Sequence, residues 1–383
     1  MSHHDKHIIS QLRALVGTPS VSSTDPSWDQ GNRAVIELLA GWLSALGFRT
    51  EIMDVSPDGQ KANLIATLGS GPGGLVLAGH TDTVPFDEGR WRSDPLRLTE
   101  RDQRLYGLGS TDMKGFFPIA IAAARAFLDK PLQQPLIILA TADEESSMDG
   151  ARALAAAGRP RARAAIIGEP TSLNPVRLHK GIMMEAIEVT GLAGHSSNPA
   201  LGINALDVMN ELMSELMLFR RQLATEHTNS AFEVAFPTLN LGCIHGGDSP
   251  NRICGRCELH FDLRLTPSAA AAGVREQLQQ RLQALAQARG AGIALRSLVE
   301  PVPPFEQVAH SELVRLAEKL TGHSALAVGF ATEAPFLQAM GMETIVMGPG
   351  SIDRAHQPDE YLELRQIQPC VDLLQSCIAH YCL

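Results

Sequence analysis

Apolar residues in this chain follow two different rhythms, and the change from one to the other divides it. In the first half, short runs are apolar at nearly every position: NLIATL (63–68), LVLAG (75–79), LIILATA (136–142) and AAIIG (164–168). A strand buried on both faces has this look, because neither side of its pleat meets water. Between these runs, apolar residues recur every three or four positions, the spacing of a helix with one buried face. RAVIELLAGWLSALG (33–47) is such a stretch, closed by Gly47, and the segment after Asp112 is another. Pro118 in that segment predicts that its helix begins only shortly before, since proline is tolerated in a first turn. A late strand-like run, TIVMG (344–348), precedes a helical stretch near 366–381. Strands alternating with helices predict an α/β fold: a mixed, mostly parallel sheet flanked by helices.

Between 181 and 302 the rhythm changes. MMEAIEVTG reads as a strand, and then Ile203, Leu206, Met209, Leu212, Leu216, Phe219 and Leu223 fall at helical spacing. TLNLGCI and ICGRCELHFDLRL follow as strands; in the second, Ile253, Cys257, Leu259, Phe261, Leu263 and Leu265 share one face. A second helix carries Val274, Leu278, Leu282 and Leu285 and ends near Gly290, before the strand IALRSLVE. The order β-α-β-β-α-β predicts a ferredoxin-like α+β domain. Because another core strand follows, residues 181–302 are expected to be inserted into a domain made of 1–180 and 303–383.

Composition agrees with two domains and narrows the partners. A chain of 383 residues, 44% hydrophobic and 19% charged, is long for one core. Its 42 acidic against 32 basic residues give a net charge of -10, which argues against nucleic acid and anionic membranes as partners. No apolar run reaches the roughly 18 residues of a membrane span. The start, MSHHDKHIIS, lacks the pattern of a signal peptide, so a soluble cytoplasmic protein is expected. Among six cysteines, Cys254 and Cys257 form a CxxC. Three residues apart in a strand, they are predicted to face opposite sides and to be structural rather than metal-binding.

The strand ends carry the chemistry. Ligands in open α/β sheets sit beyond the carboxyl ends of the strands. LVLAG runs into His80 and Asp82; LIILATA into Asp143, Glu144 and Glu145; AAIIG into Glu169; TIVMG, through Gly-Pro-Gly, towards His356. Asp112, in GSTDMKG, joins them. Taken singly, each has an ordinary role: Asp112 as a helix N-cap, Glu144 and Glu145 as solvated loop charges, His80 as a hydrogen-bonded strand end, Glu169 as turn chemistry. Their convergence points instead to a catalytic centre for hard or borderline cations, without thiolates. The surplus of carboxylates suggests two cations, with one carboxylate left over to move a proton.

GHTDTVP, GLGSTDMKG, DEES, GEPT, GHSS and AHQPDE, in this order, resemble the M20 family of metal-dependent amidohydrolases and peptidases. The resemblance implies a zinc-exopeptidase-like fold and two divalent metal ions, zinc with cobalt able to substitute. His80, Asp112 and Glu169 would hold one ion; Asp112, Glu145 and His356 the other. It implies Glu144 as general base, Asp82 as the residue orienting His80, and a homodimer formed through the inserted domain. His195, in GHSS, would then reach a partner's site to stabilise an oxyanion; by itself it reads as a turn residue. The substrate would be a small N-acyl amino acid or related linear amide. Asn251, Arg264 and Lys180 are candidates for its carboxylate, and Glu333, in ATEAPF, for a cationic group; solvated polar residues are the alternative reading. Other acylase or dipeptidase activities on the same site stay open, as does a non-catalytic binding protein. A dinucleotide-binding dehydrogenase is disfavoured, since no GxGxxG follows the first strand.

Overall fold

The computed structural model describes residues 3–383. Two compact units make up the chain: Met1–Arg177 with Gln307–Leu326 and Thr332–Leu383, and Leu178–Glu306 with Ala327–Ala331.

In the first unit, Leu136–Thr141, Leu75–His80, Ala164–Pro170 and Glu343–Gly348 lie side by side in that order and run parallel. Ala62–Leu68 and Arg49–Asp54 extend one side antiparallel. On the other side Val346 of Glu343–Gly348 pairs antiparallel with Val176. The central strands are buried along their whole length, as their unbroken apolar runs require. Helix Phe116–Arg125 is buried from Phe116 to Ala124 and packs between helices His3–Val16 and Ile367–Cys382. Pro118 sits in its first turn, where no backbone donor is lost. Two strand-end glycines are sterically required: a Cβ on Gly168 would enter the Phe116 ring, and one on Gly348 would meet the Gly168 carbonyl. Close approach of the backbones therefore draws neighbouring strand ends together, along with the loops that leave them.

The second unit is a four-stranded antiparallel sheet in the order Thr238–Gly246, Arg256–Leu265, Gly181–Thr190, Gly292–Ser297. Helices Ala205–Glu226 and Ala271–Ala288 bury their apolar stripes against one face. This is the ferredoxin-like order. Two details depart from the sequence reading. The long helix starts at Ala205, capped by the Asn204 side chain, so Leu206 is exposed and Val208 is buried instead. The ICGRC stretch is also not one strand. Pairing stops after Ile253 and resumes at Arg256, so the pleat does not carry through. Cys254 and Cys257 therefore do not diverge: both lie in the same apolar cluster, as free thiols, and burial pushes the Cys257 thiol up.

Candidate metal centre

His80 ends its strand fully buried, with its ring fixed by the backbone. Nδ1 lies 3.0 Å from the Asp82 carbonyl oxygen, which can only accept, so Nδ1 carries the proton. Nε2 then faces Asp112 Oδ1 at 3.1 Å and Glu169 Oε1 at 3.8 Å. The other oxygen of Asp112 lies 3.3 Å from His356 Nε2, which is also 3.0 Å from Glu145 Oε2. Asp112 thus stands between two imidazoles, one oxygen towards each. Donor atoms of His80, Glu144 and Glu169 converge in one group, and those of His80, Asp112 and Glu145 in another. Asp82 lies against His80 Nδ1 through its main-chain oxygen at 3.0 Å and its carboxylate Oδ1 at 3.7 Å, while its other carboxylate oxygen accepts the Glu145 N–H at 3.0 Å.

Such a cluster of acceptors is self-repelling. Glu169 Oε1 and Asp82 Oδ1 are buried without any hydrogen-bond donor. Protein groups can neutralise it only by taking up protons. Burial, reinforced by neighbouring carboxylates, pushes Glu144 and Glu169 well above the usual carboxyl range. Burial opposes a charge on His80, yet Glu169 and Asp112 raise its pKa well above the ordinary value. Hydrogen bonds to Asp112 and Glu145 raise His356 to about 10. A divalent cation relieves the same repulsion directly, and nitrogen and oxygen donors without sulfur suit catalytic zinc, cobalt or manganese. The residues present fit such ions.

Several residues that hold the cluster in shape escaped the sequence reading. Glu360 is buried, and its carboxylate accepts the backbone N–H groups of Gly109, Thr111 and Asp112 at 3.0, 2.7 and 3.0 Å. Four residues after His356, it ties the two loops that bring Asp112 and His356 together. Burial pushes its carboxyl up to about 8. On the other side of the Asp112 loop, the buried Lys114 ammonium donates to the carbonyls of Leu15 and Thr18 at 3.2 and 2.8 Å, and burial lowers it to about 7. Asp143, with φ of 59°, accepts from Ser22 Oγ and Lys61 Nζ, both at 2.7 Å, and so fixes the turn that presents Glu144. Glu360 lies within a quoted motif, AHQPDE, but nothing in the sequence tells a charged loop tip from a buried anchor.

Of the remaining candidates, Glu333 belongs to the first unit. It is 1% exposed, accepts from Thr141 Oγ1 at 2.9 Å and leaves its other oxygen without a donor; burial raises it to about 7. Lys180, His195, Asn251 and Arg264 belong to the second unit. Lys180 is buried, and its ammonium donates to the Phe236 carbonyl at 2.7 Å. His195 is exposed, its Nδ1 accepting from Ser197 Oγ at 2.9 Å. The Asn251 carbonyl accepts the Ser196 N–H, which places these two loops side by side. Arg264 pairs with Asp262 at 2.9 Å on the sheet face without helices.

The chain belongs to peptidase family M20/M25/M40, whose model matches residues 76–380. Its curated relatives include the acetylornithine deacetylase of Pasteurella multocida, 49% identical over 98% of both chains. That of Edwardsiella ictaluri is 50% identical over 98% of this chain and 97% of its own. Among solved structures, an M20 family metallo-carboxypeptidase from Sulfolobus solfataricus shares the fold at a TM-score of 0.76 and 18% identity, over 99% of both chains. The Bacillus subtilis YXEP protein, described as a dinuclear metal-binding peptidase, does so at 0.68 and 16%, over 98% of both. Among the described residues, no helix is long and apolar enough to cross a membrane.

Proposed function

We propose that this chain hydrolyses N2-acetyl-L-ornithine to L-ornithine and acetate at a centre of two divalent cations. The substrate rests on relatives of that name at about half identity over nearly the whole chain. The observation that carries the chemistry is the Asp112 carboxylate, aimed with one oxygen at each of two histidines. His80, Asp112 and Glu169 would hold one ion and Asp112, Glu145 and His356 the other, zinc by preference and cobalt as a substitute. Bound there, the ions would supply Lewis-acid polarisation of the acetyl carbonyl and acidification of the attacking water.

The chain's own residues do the rest. Glu144 takes the proton of the attacking water and passes it to the leaving amine, the two roles of one positioned carboxylate. Asp82 and the Lys61–Asp143 pair hold the ligands and base in place. His195 is assigned to the oxyanion of a partner subunit's substrate, in a homodimer formed through the inserted unit. Asn251, Arg264 and Lys180 are assigned to the substrate carboxylate, and the unpaired oxygen of Glu333 to its side-chain ammonium. If Glu333→Gln leaves the preference for ornithine over norleucine derivatives unchanged, that last assignment fails.

The test is hydrolysis by metal-depleted protein, with zinc or cobalt restored, of N2-acetylornithine, N-succinyl-diaminopimelate, N-acetylmethionine and a dipeptide. Metal-dependent turnover highest on N2-acetylornithine supports the proposal. Highest turnover on another substrate would keep the chemistry and overturn the substrate.

A further inference from the structure

A cavity in the first unit, at the end of the sheet away from the metal centre, concentrates positive charge in a chain of net charge -10. Ile137, which lines it, lies near the start of strand Leu136–Thr141, and the metal centre lies beyond that strand's last residue. At about 3.3 Å per residue, roughly 15 Å of strand and turn separates the two. Sheet register builds the floor of the cavity. Arg49 pairs with Thr67, and Thr67 with Ile137, so all three share one face at one level. Glu51, two residues along, shares that face and pairs with Ile65. On the opposite face, Ile52, Leu64 and Ala66 pack into the main core.

The loop that follows helix Asp149–Ala157 forms the wall. Arg159 is ion-paired with Glu51, which straps this loop to the sheet face and brings Arg161 to the same cavity. Arg161 donates from Nε to the Gly158 carbonyl at 3.3 Å, which leaves its terminal nitrogens for a ligand. Directly opposed strand residues have Cβ atoms about 4.5–5.5 Å apart, so Arg49 stands beside the Thr67 hydroxyl. The charges here do not cancel. Glu51 is the one acid lining the cavity and Arg159 takes it; among the described residues, no carboxylate pairs with Arg49 or Arg161. The hydroxyls of Thr67 and Ser70, which also line it, have no protein partner among those residues either.

We infer that this cavity binds a small phosphomonoester, with its phosphate held by Arg49 and Arg161 and its organic part laid on Ile65, Ile137 and Pro160. Two unpaired guanidinium groups match the charge of a phosphate dianion, and their planar forks suit its oxygens. A single carboxylate would leave one arginine unmatched. The cavity volume, about 360 Å³, falls in the range of small-molecule sites.

Calorimetric titration of the full-length, zinc-restored protein with phenyl phosphate tests this, with benzoate as the carboxylate control. Zinc at the metal centre can also take a phosphate, so the variants carry the distinction. Arg49→Ala combined with Arg161→Ala should weaken one binding event at least about 10-fold, through the loss of charge-assisted hydrogen bonds. Turnover on N2-acetylornithine should stay as in the wild type. Glu51→Gln should tighten the same event roughly 3–10-fold, because it removes the negative charge of the cavity and releases Arg159. A variant that only disturbed the fold would not gain affinity. Benzoate should bind at least about 10-fold more weakly than phenyl phosphate, for want of the second charge. Identical phenyl phosphate binding in the wild type and the double arginine variant would overturn the inference. So would weaker binding in Glu51→Gln, or benzoate bound as tightly as phenyl phosphate. Because the readout is binding away from the metal centre, it stands or falls independently of the hydrolytic activity.

Discussion

The two sheets of this protein solve the problem of burial differently. In the first unit the parallel strands are covered on both sides, so their sequences are apolar throughout and polar groups first occur where the strands end. In the second unit helices cover one face only, so Arg256–Leu265 alternates strictly between buried and partly exposed positions. A sheet buried on both faces can place chemistry only at its edge, and there it concentrates carboxylates and imidazoles until they need a cation. An open sheet carries polar residues along its whole length, where they pair with one another in the manner of Arg256, Glu188 and Glu258.

Substitutions can break this contrast. The largest effect belongs to the strand-end cluster: Glu144→Ala should lower turnover by about 10²–10⁴-fold, the usual contribution of a positioned base, with both cations still bound. Activity near that of the wild type would remove Glu144 from its assigned role. Within the covered sheet, Ile138→Ala should cost about 2–5 kcal/mol in denaturant unfolding, because the cavity cannot refill from either side. Glu360→Gln keeps the shape of the anchor but replaces an acceptor oxygen with an amide that cannot receive all three N–H groups. It should weaken metal binding about 10–100-fold, as losing a ligand's supporting partner does, and turnover should recover at high zinc. Loss of turnover that added zinc does not restore would mean that Glu360 acts otherwise. The smallest effect is on the open face, where Arg256→Ala should leave the unfolding midpoint unchanged, since exposed ion pairs contribute little. A large shift there would erase the distinction between the sheets.

The same contrast governs what could be read in advance. Continuous apolar runs located the central strands to within a residue or two, and the residues beyond them marked where ligands would gather. The α/β class and the ferredoxin-like strand order were legible for the same reason, periodicity. What periodicity could not show are its interruptions. The break at Cys254–Gly255 and the register shift at Gly242, where Leu241 and Cys243 pair with the consecutive residues Phe261 and His260, each change which way the following side chains point, and neither leaves a signature in hydropathy. Anchors were hidden for a different reason. Glu360, Lys114 and Lys61 are charged residues in or near loops, and only tertiary packing distinguishes a buried clamp from a solvated charge.

The central claim is that the strand-end cluster is one centre of two cations joined by Asp112, and counting bound metal tests it most directly. The measurement is tight zinc per chain, with and without Asp112→Asn. Two equivalents falling together to none or to weak binding on loss of Asp112 is the predicted result. One tightly held ion surviving in Asp112→Asn, or fewer than two before it, would contradict the shared centre.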